Sequence, residues 1–373
     1  MRLNLTFGLA LTAGLCLADL AIGQTLRQYA GTPVQFLGAI QERSDLSAIG
    51  HLHSFLLVGS DEPSGKKKAR KNVVQLLRAN GENRYVFHSA IPLCKPTRSN
   101  GDCSKKLHRK EMDIEGIAVD GSTVYVVGSH AVVRKKVRCE PIGGCTLDCK
   151  RPRDYAENRE ILSESDKTAA EGRSQGRARL VRFDMDARGR ASNMSEISLG
   201  PIIDKLPIFQ PFNRIPSKEN GVDIEGIAIR DGIVHVGFRG PVFRGNYVPV
   251  LKVRFDRPQV SSKDVVFVKL DGRGIRDLAR VSDGFLILAG PVGDGSATYQ
   301  LYHWDGEDMV PGDGPRPAPP GKLRLLGVLD HPPCASPEGV SVQREDSSSY
   351  DIIVVFDGAG PDVARRYKIA VRP

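Results

Sequence analysis

The sequence predicts an all-β protein, a β-propeller of about five four-stranded blades, and three observations carry that expectation. The segment Asp113-Ile114-Glu115-Gly116-Ile117-Ala118-Val119-Asp120-Gly121 returns about a hundred residues later as Asp223-Ile224-Glu225-Gly226-Ile227-Ala228-Ile229-Arg230-Asp231-Gly232. Weaker copies stand at 45–60, 274–291 and 336–357. Such self-similarity marks a repeat architecture. Each copy also passes through a tight turn into a second apolar run, with Asp-Gly pairs at 120–121, 231–232 and 283–284 matching the favoured two-residue hairpin loop. Finally, the last repeat supplies three strands and the chain then stops, while a spare strand, Val34–Ile40, stands at the other end. A ring closed by one terminus completing the other's blade removes the unpaired sheet edges.

Taken in order, the first blade has strands expected near 45–50, 54–59, 72–78 and 85–90, and the second near 114–119, 123–129, 178–184 and 194–199. The third falls near 224–229, 233–238, 248–255 and 264–269. The fourth falls near 275–281, 285–290, 298–303 and 323–328. The fifth uses 338–342, 351–356 and 366–371. Apolar runs of four to eight residues bounded by Gly, Pro and Asp carry these assignments. A sixth blade would need strands hidden in Pro201–Asn220 or in the basic, Cys-containing insert at about 134–177.

Arg2, the apolar run Leu5–Leu17 and the small residues Ala21 and Gly23 read as a secretory signal over residues 1–23, leaving 24–373 as one propeller domain in the periplasm or outside the cell. Cutting there removes Cys16 and leaves six cysteines (Cys94, Cys103, Cys139, Cys145, Cys149 and Cys334), an even set that export would oxidise to disulfides. Their pairing is open. No later segment is long and apolar enough to span a bilayer. The net charge of +9 favours anionic partners. Nucleic acid is disfavoured, because no aromatic residues interleave the basic runs as a stacking platform would require.

Repeat phase then places chemistry. Glu115, Glu225 and Glu338 occupy equivalent positions, with Arg276 in the fourth copy and Ser47 in the first; Asp113 and Asp223 stand two residues earlier, on the same strand side. The start of each first strand lies beside the end of the second, so all five strand starts should gather at the mouth of the central channel. Clustered carboxylates repel unless a cation joins them. Calcium is the natural one for oxygen-rich ligands, held by Asp113, Glu115, Asp223, Glu225 and Glu338. The bland alternative is a structural ring in which Arg276 pairs with the neighbouring glutamates and locks the blades together. Lys66, Lys67 and Lys68 in one blade and Arg134, Lys135 and Lys136 in the next form a basic rim that would steer an anionic small molecule or polymer. The functional expectation is calcium-assisted hydrolysis of a phosphate or other ester, with Arg239 and Arg276 holding developing negative charge and His130 moving a proton. The other expectation is a non-catalytic module for anionic envelope polymer or an exported protein.

The strand starts Asp113–Val119 and Asp223–Ile229, the pieces Gly128-Ser129-His130, Gly237-Phe238-Arg239-Gly240-Pro241, Gly272-Arg273-Gly274-Ile275-Arg276, Leu288-Ala289-Gly290-Pro291 and Pro337-Glu338-Gly339 together resemble a bacterial family known as domain of unknown function 3616. The resemblance implies a propeller-like fold and no assigned activity. A looser likeness, in the Asp/Glu-Gly-Ile/Leu strand starts alone, is to secreted esterase-like phytase propellers; it is a likeness of fold style.

Overall fold

Five antiparallel sheets stand around a common axis in the computed structural model, which describes residues 26–65, 71–94, 108, 110–132, 139–143, 146–149, 176–293, 297–311 and 320–371. From the axis outward, the first blade runs Leu46–Leu52, Phe55–Ser60, Val73–Ala79 and Arg84–Pro92; the second runs Ile114–Asp120, Thr123–Gly128, Leu180–Met185 and Ala191–Ile197. The third is Asp223–Arg230, Ile233–Gly240, Tyr247–Val253 and Val265–Lys269. The fourth is Gly274–Val281, Gly284–Gly290, Gln300–Trp304 and Leu323–Leu329. The fifth has Ser336–Glu345, Ser349–Asp357 and Ala364–Ala370. The inner strands pack side by side in chain order, and the fifth returns to the first, closing the ring. Five blades suffice: 200–222 holds a helical turn, Gly200–Ile203, and a 3-10 turn, Ser217–Glu219, while among the described residues Cys139–Gly143 and Thr146–Cys149 pair only with each other.

Closure differs in detail from the expectation. The strand completing the fifth blade is Thr32–Pro33, antiparallel to Ala364–Ala370, just before the expected Val34–Ile40. Gln35–Leu37 instead lies parallel to Arg84–Pro92 on the outside of the first blade, and Gln28–Tyr29 lies parallel to Leu323–Leu329 on the fourth. The N-terminal segment is therefore a strap over three blades. Its inward residues Val34 and Phe36 are buried and alternate with exposed Pro33 and Gln35, the period expected of a half-buried strand. Close approach fixes its path at Gly31, where an added Cβ would sit 2.5 Å from the Tyr367 ring.

The hairpin loops are corrected too. Only at Asp231-Gly232 do both residues adopt positive φ (54° and 69°) between the paired Arg230 and Ile233. In the second blade the loop is Gly121-Ser122, and in the fourth it is Ser282-Asp283, each one residue away from the Asp-Gly pair.

The core lies between blades, where facing apolar sheet surfaces meet. Phe55, Leu57, Val74 and Leu76 of the first blade pack with Val124, Val126 and Phe183 of the second. Val236, Phe238 and Leu251 of the third blade pack with Val127 and Leu180, and with Leu199, Ile203, Leu206 and Phe209 of the 200–222 excursion. Trp304, buried in the fourth blade, packs with Phe285 and with Val248 and Val250 of the third. No helix among the described residues is long and apolar enough to cross a membrane.

Candidate functional site

Every inner strand carries the same irregularity near its start. In the second blade Ile114 pairs with Gly128 and Gly116 with Val127, which leaves Glu115 as the extra residue of a β-bulge. The same shift isolates Glu225 between Ile224 and Gly226, Arg276 between Ile275 and Asp277, Glu338 between Pro337 and Gly339, and Ser47 between Leu46 and Ala48. A bulge turns one side chain out of the regular alternation. Repeated five times around an axis, it brings five side chains to one place. The glycine that follows in three blades permits the approach: a Cβ on Gly226 would lie 2.5 Å from the Cα of Asp277 in the next blade.

The result is a mouth of acids and guanidiniums. Carboxylate oxygens of Glu115, Glu225 and Glu338 all lie within 4.8 Å of one another. Arg276 reaches between two of them, with Nη1 3.4 Å from Glu225 Oε2 and Nη2 donating to Glu338 Oε1. Arg239 donates from Nη1 to Glu225 Oε1 at 3.0 Å and stands 3.9 Å from Asp223. Arg177, just after the insert, donates to both Asp113 and Glu111. Ser47, the uncharged member of the ring, donates to the carbonyl of Ile114. Sequence reasoning thus brought together Asp113, Glu115, Asp223, Glu225, Glu338, Arg239 and Arg276. It missed Arg177, which has no repeat phase, and Asp277, whose carboxylate accepts the N–H groups of Leu278 and Val340 at 2.7 Å each and ties the fourth blade to the fifth.

Electrostatically the mouth is unbalanced. Asp61, Glu111, Asp113, Glu115, Asp223, Glu225 and Glu338 outnumber the guanidiniums of Arg177, Arg239 and Arg276 that face them, and Glu115 has no ion pair among the described residues. Burial raises the Glu115 carboxyl well above its ordinary range, and the charges of Glu225, Asp113, Asp61 and Asp223 push it further. Asp223 is raised by burial and by Glu225, with Arg239 opposing. Asp113 is held at about 6 by burial, with Arg177 pulling the other way. Asp61, at the end of the first blade's second strand, is raised to about 8 by burial and then by Asp113, Asp357 and Asp45. Burial alone would lower Arg239, but Glu225 and Asp223 outweigh it and raise the guanidinium. Such a set takes up protons or a cation, and its hard oxygen donors suit a hard divalent ion.

The remaining expected residues fall elsewhere. His130 has a left-handed backbone (φ 55°), its Nδ1 is 2.7 Å from the Gly128 carbonyl, and it lines a lateral cavity whose wall includes none of the five acids. Burial lowers its imidazole to about 4, so the ring is neutral at physiological pH. Lys66, Lys67, Lys68, Arg134, Lys135 and Lys136 lie outside the described residues, as does the segment 1–23.

Fold and site define a class: a five-bladed β-propeller with an acid-and-guanidinium mouth at one end of its axis. Within it, the chain belongs to the family described as "Protein of unknown function (DUF3616)", whose model matches residues 45–370. No curated protein sequence matches. Among solved structures, the chain is similar to a GH43 β-1,3-galactosidase bound to galactodeoxynojirimycin (8% identity, TM-score 0.44, covering 92% of this chain and 95% of that one). It is similar also to an α-L-arabinofuranosidase from Podospora anserina in complex with cellotriose (10% identity, TM-score 0.41, 92% and 96%) and to the WD40 β-propeller domain of Doa1 (11% identity, TM-score 0.33, 90% and 96%). At these scores the similarity bears on neither activity nor ligand.

Proposed function

We propose that the axial mouth binds a divalent cation, calcium being the best match, and acts there on an anionic ligand, hydrolysing a phosphate or other ester. The observation that carries this reading is the meeting of Glu115, Glu225 and Glu338, from three blades, within 4.8 Å of one another while too few guanidiniums neutralise them. Those three would hold the ion, with Asp113 and Asp223 beside them. When bound, the ion would supply positive charge against a polarised ester oxygen. Arg239 and Arg276 would orient the anionic group and hold charge that builds on it. Among the described residues His130 bonds the Gly128 carbonyl and none of the acids, so the proton-moving role passes to Asp61, whose carboxyl is raised to about 8 and stays largely protonated at neutral pH.

Export belongs to the same proposal. Cys94 and Cys334 both take part in disulfides, which suits an oxidising compartment and the secretory signal expected at 1–23. The second reading, a non-catalytic binding module, is favoured by the ion pairs through which Arg276 of the fourth blade cross-links the third and fifth, while Arg239 braces Glu225 within the third.

Turnover separates the two. Chelator-treated protein is assayed on nitrophenyl phosphates, phosphodiesters and carboxylate esters with and without added calcium. Calcium-dependent hydrolysis that is lost in Glu225→Gln supports the enzyme. Calcium-independent retention on an anionic polysaccharide, without turnover of any ester, supports the binding module instead, and a lack of both calcium binding and turnover removes the hydrolase.

A further inference from the structure

The innermost strand of each blade is a sheet edge, so backbone N–H groups on its axial side have no neighbouring strand to receive them. Buried N–H groups need an acceptor. The residue that follows each ring member stands against such a group. A Cβ on Gly116 would lie 3.0 Å from the Ile227 nitrogen of the next blade, and one on Gly339 would lie 3.0 Å from the Ile49 nitrogen. Glycine or alanine holds this position in four blades, as Gly116, Gly226, Gly339 and Ala48. In the fourth blade it is Asp277, directly after Arg276.

Asp277 is fully buried, and its carboxylate collects donors that a glycine leaves alone. Oδ2 accepts the Val340 N–H of the fifth blade at 2.7 Å, and Oδ1 accepts the Leu278 N–H of its own strand at 2.7 Å. The Ile227 N–H of the third blade donates to it as well. These three donors share one phase: Ile227, Leu278 and Val340 lie two residues beyond Glu225, Arg276 and Glu338. One side chain therefore fastens three strands, on three blades, just past the bulges that present the mouth residues. The Arg276 guanidinium spans Glu225 and Glu338, so a shift of any of these strands breaks its pairing.

We infer that Asp277 is the positioning residue of the mouth, setting the separation of Glu225, Arg276 and Glu338 by holding their three strands on one carboxylate. The consequence for cation affinity rests on the reading proposed above; the placing of the three side chains does not.

Two variants of the full chain test this. Asp277→Asn keeps the size of the side chain but turns one acceptor into a donor, leaving an N–H unpaired. Asp277→Gly introduces the residue that three other blades carry at this position. Asp330→Asn is the control, since it weakens a carboxylate that holds the Gly31 N–H and Arg365 outside the mouth. NMR of arginine side-chain nitrogens, in chelator, reads the Arg276 guanidinium. Restricted Nη rotation is expected in the parent and the control, and free rotation in both Asp277 variants. Calorimetric titration should show calcium affinity about tenfold weaker in Asp277→Asn and within about twofold of the parent in Asp330→Asn, although both melt lower. Restricted rotation that survives in the Asp277 variants, or is lost equally in the control, overturns the assignment. So does unchanged calcium affinity in Asp277→Asn, and so does failure of both Asp277 variants to fold, which would leave the residue a part of the fold alone. A parent that binds no calcium refutes the cation reading, and the Arg276 signals then decide the placing by themselves.

Discussion

Replacing Glu115 with Gln should make the calcium-free protein more stable while removing its response to calcium. The substitution keeps the shape of the side chain and deletes one charge from a group of carboxylates whose oxygens lie within 4.8 Å of one another. A fully ionised neighbour at that separation repels by about 3 kcal/mol at an effective dielectric near 20. Protonation and the guanidiniums of Arg239 and Arg276 offset part of this, so relief of about 1–3 kcal/mol is expected at pH 8. A domain of about 350 residues carries an unfolding entropy of roughly 0.7 kcal/mol per degree, which converts the gain to about 1.5–4 °C in melting temperature. Calcium at a hundred times its dissociation constant adds about 2.7 kcal/mol, or roughly 4 °C, to the parent protein. In Glu115→Gln that second shift should fall below about 1 °C. Scanning calorimetry at pH 8, in chelator and then in calcium, reads both numbers. A variant that melts lower in chelator and keeps the full calcium shift refutes the reasoning.

Three further outcomes follow from the same geometry. Asp113 and Asp61 have folded-state pKa values of about 6 and about 8, above the unfolded value near 3.9, so their neutral forms favour the fold; that contribution is complete below about pH 4 and is lost as pH rises through 6 and then 8. Melting temperature in chelator should therefore fall across that window, and calcium should flatten the decline; a profile rising from pH 5 to 8 would contradict it. Arg276→Gln removes the guanidinium between Glu225 and Glu338 and should destabilise the apo protein by about 3–5 kcal/mol, while tightening calcium in an isothermal titration because the competing charge is gone. Gly226→Ala drives a Cβ against the Asp277 backbone and should cost about 1–3 kcal/mol in denaturant unfolding, with calcium affinity weakened because the bulge carrying Glu225 shifts.

How far the chain could be read without coordinates depended on whether a residue shared in the repeat. Glu115, Glu225, Arg276, Glu338 and Ser47 were aligned by phase, and the bulges that gather them have the same phase, so their convergence was legible even though no bulge was foreseen. The main strands also fell close to their expected places, because apolar runs between turns mark them directly. Residues outside the repeat were illegible. Arg177 emerges from the insert and meets Asp113 only in space. The strap divides among three blades because Val34 and Phe36 find buried positions that no local pattern specifies. His130 was expected at the mouth because it follows the end of the second blade's second strand, but its left-handed backbone directs it to the lateral cavity. The paired turns slipped by one residue at Asp120-Gly121 and Asp283-Gly284, since strand register outranks the preference of one dipeptide.

Calorimetric titration of calcium into chelator-treated protein at pH 6.5, in two buffers of different ionisation enthalpy, addresses the mouth most directly. One ion should bind per chain and release protons, because carboxyls held neutral by burial and mutual repulsion must ionise to receive it. Absence of binding, or binding at one ion per chain with no proton released, would show that the acids meeting on the axis are not the ligands of a cation.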